Sequence, residues 1–219
     1  MSDFLDPSST SLKICGVTRM ADAEALVNLG VHGIGINFWP QSKRYLSAEK
    51  AEPILRAIAG NIVRVGVFVN ADPRMPSRLL EQGLIDIAQF HGDETAEYCA
   101  PFANAGHRFI KAIGVKNQDS LNNIAEYRAS AVLLDTPAPG VYGGTGEKFD
   151  WTIAATFIQN HPNTPVLLAG GITPQNAAEA IAQAHPAALD VASGAEISPG
   201  IKDLDKVAAL LASTQITPH

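Results

Sequence analysis

The sequence predicts an α/β protein built as a single (β/α)8 barrel, and three observations point there. Short β-branched runs alternate with Ala-, Leu- and Glu-rich segments in a regular rhythm from the first strand to the last. The runs IVRVGVFV (62–69) and AVLLD (131–135) are almost continuously apolar, as parallel strands covered on both faces should be. Polar residues and glycines gather just after the strands, where a barrel keeps its active site. A doubly wound sheet is the alternative architecture. Against it, the turn after the first strand carries no GxGxxG motif.

The elements follow in order. Leu12 to Val17 reads as a strand and Met20 to Leu29 as a helix. A strand over Gly33 to Phe38 precedes a helix over Ser47 to Ala59, with Ser47 as its N-cap. Ile62 to Val69 leads to a helix around Pro76 to Gln82, Ile85 to Phe90 to a helix over Thr95 to Ala105, and Arg108 to Ile113 to a helix over Ser120 to Tyr127. Ala131 to Leu134, Val166 to Leu168 and Ala188 to Val191 complete the strands, with helices beginning near Trp151, Thr173 and Asp203. One loop breaks the rhythm: DTPAPGVYGGTGEKFD (135–150) is long and rich in Pro and Gly, the pattern of a lid or binding loop. One domain is expected over 1–219, with 1–10 and 212–219 as frayed tails.

Composition narrows the function class. With 46% hydrophobic residues and 219 positions, the chain can bury one substantial core. A net charge of −6 with no basic cluster argues against nucleic acid as a partner. Cys15 and Cys99 form no CxxC or Cys/His cluster, so neither a disulfide framework nor a zinc site is suggested. The start, MSDFLDPSSTS, lacks a basic-then-apolar signal pattern, and no apolar run approaches the ~20 residues that span a bilayer. A cytoplasmic protein is expected, without membrane association and, as no association motif is visible, monomeric.

Candidate chemistry sits at the strand ends. Strand alternation puts Lys13 and Cys15 on one face, with Ile14 on the other. A lysine near Cys15 would favour the thiolate and make it a usable base; the bland alternative is a small buried cysteine, the reading kept for Cys99. Asp135 ends the run AVLL, where catalytic groups of barrels belong, or it serves as a loop acceptor. As a general acid it must hold a proton, and a nearby Lys13 would oppose that. Gly170 and Gly171, then Ser193 and Gly194, follow the last two strands. That is where barrels bind phosphate through backbone amides and a helix N-terminus; two ordinary glycine turns are the alternative. Arg44, in a surface-like SKR run, has a planar fork suited to a carboxylate. His91 reads as a structural histidine rather than a site-lining donor. Asp190 either bonds sugar hydroxyls or braces its loop.

Taken together, the segments KICGVTR (13–19), GINFWPQSKRYLS (35–47), RVGVFVN (64–70), QFHGDE (89–94), LLDT (133–136), YGGTGEKFDW (142–151), LAGGITPQN (168–176) and DVASGAEISPGIKD (190–203) resemble the phosphoribosylanthranilate isomerases of tryptophan biosynthesis. They run in family order across nearly the whole chain. The resemblance implies an Amadori rearrangement of N-(5-phosphoribosyl)anthranilate to 1-(2-carboxyphenylamino)-1-deoxyribulose 5-phosphate, without metal or organic cofactor. It places the family's general base on Cys15, its general acid on Asp135 and its carboxylate-binding arginine on Arg44. Its phosphate contacts fall on Gly170, Gly171, Ser193 and Gly194. Two departures are visible: Ala192 where the family often has serine, and Thr145 for a commoner serine. The rivals are a metal-dependent phosphosugar epimerase and a phosphosugar-binding barrel without turnover.

Overall fold

A computed structural model describes residues 4–6, 8–137 and 149–215. Eight parallel strands close into one barrel in chain order: β1 (Ser11–Cys15), β2 (Gly33–Asn37), β3 (Val63–Phe68), β4 (Ile87–Phe90), β5 (Phe109–Gly114), β6 (Ala131–Asp135), β7 (Val166–Leu168) and β8 (Ala188–Val191). The helices between them are α1 (Met20–Leu29), α2 (Ala48–Ala57), α3 (Arg74–Glu81), α4 (Ala96–Asn104), α5 (Trp151–Asn160) and α6 (Ala177–Ala184), and α7 (Leu204–Thr214) follows the last strand. The expected barrel is therefore the observed one.

Local chemistry explains where several helices start. The side chains of Ser47, Thr95, Asp150 and Asp203 accept from Lys50, Tyr98, Thr152 and Lys206 backbone amides, capping α2, α4, α5 and α7. Three expectations need correction. No α-helix forms over Ser120–Tyr127; two short 3-10 helices, Gln118–Leu121 and Ile124–Tyr127, replace it. The helix expected near Thr173 begins at Ala177, because Thr173 N–H bonds the Asn176 side chain, whose amide in turn bonds Gly171 O and closes a separate turn. A small antiparallel hairpin, β9 (Glu196–Ser198) with β10 (Ile201–Lys202), follows β8 unforeseen.

Strand parity sorts the side chains into two layers. Leu12, Ile14, Ile34, Ile36, Val132, Leu134, Leu189 and Val191 face the helices. Val65, Ile87, Ile110, Leu133 and Leu167 fill the lower barrel interior, joined there by Phe4 and Leu5. Each fully buried side chain of this size contributes roughly 1.5–3 kcal/mol. Phe4 sits under Gly33, where an added Cβ would lie 3.1 Å from its ring. The N-terminal tail is thus not frayed at Phe4 and Leu5, which plug the barrel floor at 3% and 4% exposure. At the other end, α7 runs to Thr214, so the expected fraying at 212 starts too early. With apolar layers closing the floor, the inward positions nearest the carboxyl ends of the strands are left for polar groups. Among the described residues, no helix is long and apolar enough to cross a membrane.

Candidate active site

The carboxyl ends of the strands surround a cavity of about 550 Å³. Cys15 from β1, His91 after β4, Asp135 from β6 and Asp190 from β8 line it. Arg44, Gly170, Gly171, Ser193 and Gly194 line the same cavity from loops. Lys13 lies one inward position below Cys15 and is fully buried. Nine of the ten candidate site residues therefore line one mouth, with Lys13 buried just beneath it.

On the β1–β8 side, the chemistry is ionic. Lys13 and Asp190 are neighbours in register, and Lys13 Nζ donates to both Asp190 oxygens at 2.8 and 2.9 Å. Gly35, paired with Cys15 on β2, leaves the room this needs: a Cβ there would lie 2.9 Å from Cys15 Sγ and 3.1 Å from Lys13 Nζ. Lys202 approaches from the hairpin, donating to Cys15 O at 2.6 Å and to Glu196 Oε1 at 2.7 Å. Burial pushes the Cys15 thiol above its ordinary value, although part of its surface still faces the cavity. Lys13, Lys202 and Arg44 pull it down, and Asp190 pushes it up. Lys13 thus favours the thiolate, as expected, but burial outweighs it. For Lys13 itself, burial acts against the charge, and Asp190 with Cys15 overcomes it, so the ammonium is held above its ordinary range.

On the β4–β6 side, a backbone amide and an imidazole surround the carboxyl. Asp135 Oδ1 accepts from Thr136 N–H at 2.8 Å, and Oδ2 lies 3.2 Å from His91 Nε2. His91 Nδ1 lies 2.9 Å from Gln89 Nε2. The histidine expected to be structural therefore touches the candidate acid. Lys13 pairs with Asp190.

The loops after β7 and β8 touch backbone to backbone. A Cβ on Gly194 would fall 1.9 Å from Ile172 O, so only glycine fits there. Gly170 and Gly171 adopt φ of 79° and 64°, and a Cβ on Gly170 would collide with Thr136. A short 3-10 helix, Ser193–Ala195, begins at this junction, so the helix start beside these glycines is this one rather than the expected one at Thr173.

Arg44 differs from its expected role in one respect. Its fork is already engaged, with Nε and Nη2 donating to Glu196 at 2.8 and 2.6 Å. Only the Nη1 edge and one Nη2 hydrogen remain to meet a ligand. Glu196 is in turn anchored by Lys202 and by Gly200 N–H. Sequence reasoning missed Gln89, Glu196 and Lys202. For Gln89 the signal was available, because it shares strand parity with His91. The glycine-rich loop and Thr145 fall on 138–148, outside the described residues, as do 1–3, 7 and 216–219. Among the described residues, no three His, Cys, Asp or Glu side chains converge to hold a metal ion.

Comparison with known proteins shows the family. Residues 12–213 match the family model described as N-(5'-phosphoribosyl)anthranilate (PRA) isomerase. The N-(5'-phosphoribosyl)anthranilate isomerase of Pseudomonas syringae pv. syringae (strain B728a) is 43% identical over 213 residues, covering 96% of this chain and all of that protein. The crystal structure of phosphoribosyl anthranilate isomerase from Thermotoga maritima superposes with a TM-score of 0.84 at 34% identity, over 94% of this chain and 98% of that one. A phosphoribosyl anthranilate isomerase in complex with reduced 1-(o-carboxyphenylamino)-1-deoxyribulose 5-phosphate superposes with a TM-score of 0.81 at 33% identity, with the same coverage.

Proposed function

This chain belongs to the N-(5'-phosphoribosyl)anthranilate isomerase family, and on that premise we propose that Cys15 is the general base and Asp135 the general acid of its Amadori rearrangement. The observation that carries the assignment is their shared cavity: a thiol backed by cations and a carboxyl beside a backbone amide and an imidazole, next to two interlocked glycine loops.

Asp135 gives its proton to the furanose ring oxygen, and the C1–O bond breaks as the anilino nitrogen lone pair forms an iminium. Cys15 takes the proton from sugar C2, leaving an enolamine. Protonation at C1 and loss of the C2 hydroxyl proton then give the ketone. Each assisted transfer is worth about 10²–10⁴-fold. The iminium adds a transient cation at the site, which favours the Cys15 thiolate at the step that needs it. Asp135 becomes an anion as it donates, and the Thr136 and His91 donors support that form.

Backbone amides around Gly170, Gly171 and Gly194, with the Ser193 hydroxyl, hold the phosphate, and binding remote from C1 and C2 keeps those carbons in register. Ser193 and the backbone serve despite Ala192. Arg44 meets the anthranilate carboxylate through its free edge, with Glu196 fixing the opposite edge. Asp190 serves chiefly as the counter-ion of Lys13. The enzyme works as a cytoplasmic monomer, and sedimentation at micromolar concentration tests its oligomeric state.

The decisive assay follows the loss of anthranilate-conjugate fluorescence when the purified protein meets freshly made N-(5-phosphoribosyl)anthranilate. Turnover unchanged by EDTA is expected. No turnover, or turnover abolished by EDTA and restored by a divalent metal, contradicts the reading.

A further inference from the structure

Gln89 is neither of the proposed proton-transfer groups, yet its side chain is wholly buried two residues before His91. Its in-register neighbours are Val67 and Ile110, so the strands beside it offer an amide no side-chain partner. Its nitrogen lies 2.9 Å from His91 Nδ1, while its Oε1 has no hydrogen-bond partner among the described residues. His91 passes on to Asp135 Oδ2 through Nε2 at 3.2 Å. The three side chains thus climb in a line from the barrel interior to the mouth.

The direction of these bonds follows from counting donors. Reversing the Gln89 amide would satisfy its oxygen only if Nδ1 carried the proton, and would strand both amide N–H groups in an apolar layer. The observed placement strands one N–H and the carbonyl oxygen, exchanging a stranded N–H for a carbonyl, the better tolerated of the two defects. With Gln89 N–H pointing at it, Nδ1 must offer a lone pair. The ring proton of the neutral imidazole is then on Nε2, aimed at Asp135.

We propose that Gln89 is a positioning residue that fixes His91 as the Nε2–H tautomer, so that the imidazole donates to the carboxylate Asp135 becomes on giving up its proton. The inference rests on the reading of Asp135 as general acid. A hydrogen bond to a charged oxygen is stronger than one to its protonated form. The relay therefore tightens as the proton leaves, and lowers the barrier more than it aids substrate binding. Gln89 does this without touching the substrate.

The test combines a spectrum with a kinetic cycle. In protein carrying ¹⁵N-histidine, the His91 signal, assigned by its loss in His91→Asn, should report a protonated Nε2 and a bare Nδ1. Gln89→Glu, whose carboxylate accepts from Nδ1–H, should reverse that pattern. Gln89→Met should lower kcat about tenfold while leaving KM nearly unchanged, a milder loss than removing a direct donor. Introduced into His91→Asn, the same change should add less than about twofold, because the residue it acts through is gone. An Nδ1–H signal in the wild-type protein overturns the proposal, and so does an equal loss in both backgrounds, which would mark Gln89 as packing alone. A fully active Asp135→Asn would instead remove the acid assignment, leaving the tautomer result untouched.

Discussion

The two sides of the barrel mouth solve opposite problems. Around Cys15 stand Lys13, Lys202 and Arg44, each tied to a carboxylate: Lys13 to Asp190, the other two to Glu196. Around Asp135 stand a backbone amide and an imidazole braced by Gln89. A base that works as an anion needs positive charge in reach. An acid that must carry a proton is spoiled by the same charge. One closed sheet accommodates both because the three cations are bound to two carboxylates on the β1–β8 side. The acid can then be surrounded by donors that strengthen only as its charge develops.

The sharpest way to break this contrast is to remove its central cation. Lys13→Met leaves Asp190 buried and unpaired, and should lower unfolding stability by about 3–5 kcal/mol in a denaturant titration. Adding Asp190→Leu should recover most of that stability without recovering activity. Full recovery of turnover in the pair would show that the charge does not serve Cys15. A smaller effect is expected at the arginine on the same side. Arg44→Ala should raise KM about tenfold and change kcat less, because it removes a contact present before the reaction begins. An unchanged KM would reject the carboxylate contact. The smallest effect is on the thiol itself. Because burial outweighs the surrounding cations, iodoacetamide should label Cys15 in the free protein only above the usual thiol range near about pH 8.5, as read by peptide mass spectrometry. Lys13→Met should move that midpoint higher still, since a group that lowers it has been lost. A midpoint below the usual range in the wild-type protein would mean that the cations win.

Much of this arrangement was legible in the residues, and the rest was hidden for identifiable reasons. Strand parity put Lys13 with Cys15, and its place at the carboxyl end of an apolar strand marked Asp135, since each follows from one segment alone. The glycine pair after β7 marked its loop because backbone with positive φ advertises itself. The pairings were not legible. Lys13 meets Asp190 across 177 positions, and Arg44 meets Glu196 across 152. The first depends on barrel closure, and the second on a hairpin that no local pattern announced. The start of α6 was misplaced because Asn176, a polar residue between helix and strand, folds Thr173 into its own turn. For His91 the contact with Gln89 could be read from strand parity, whereas the contact with Asp135, 44 positions away, is not written in its own segment.

The account stands or falls on the division of labour between thiol and carboxyl. Its most direct test is kcat for Cys15→Ser and Asp135→Asn in the fluorescence assay, with unfolding midpoints recorded alongside. Both variants should keep the wild-type fold, and each should lose at least about 10²-fold in kcat. Wild-type turnover in either correctly folded variant would contradict the mechanism.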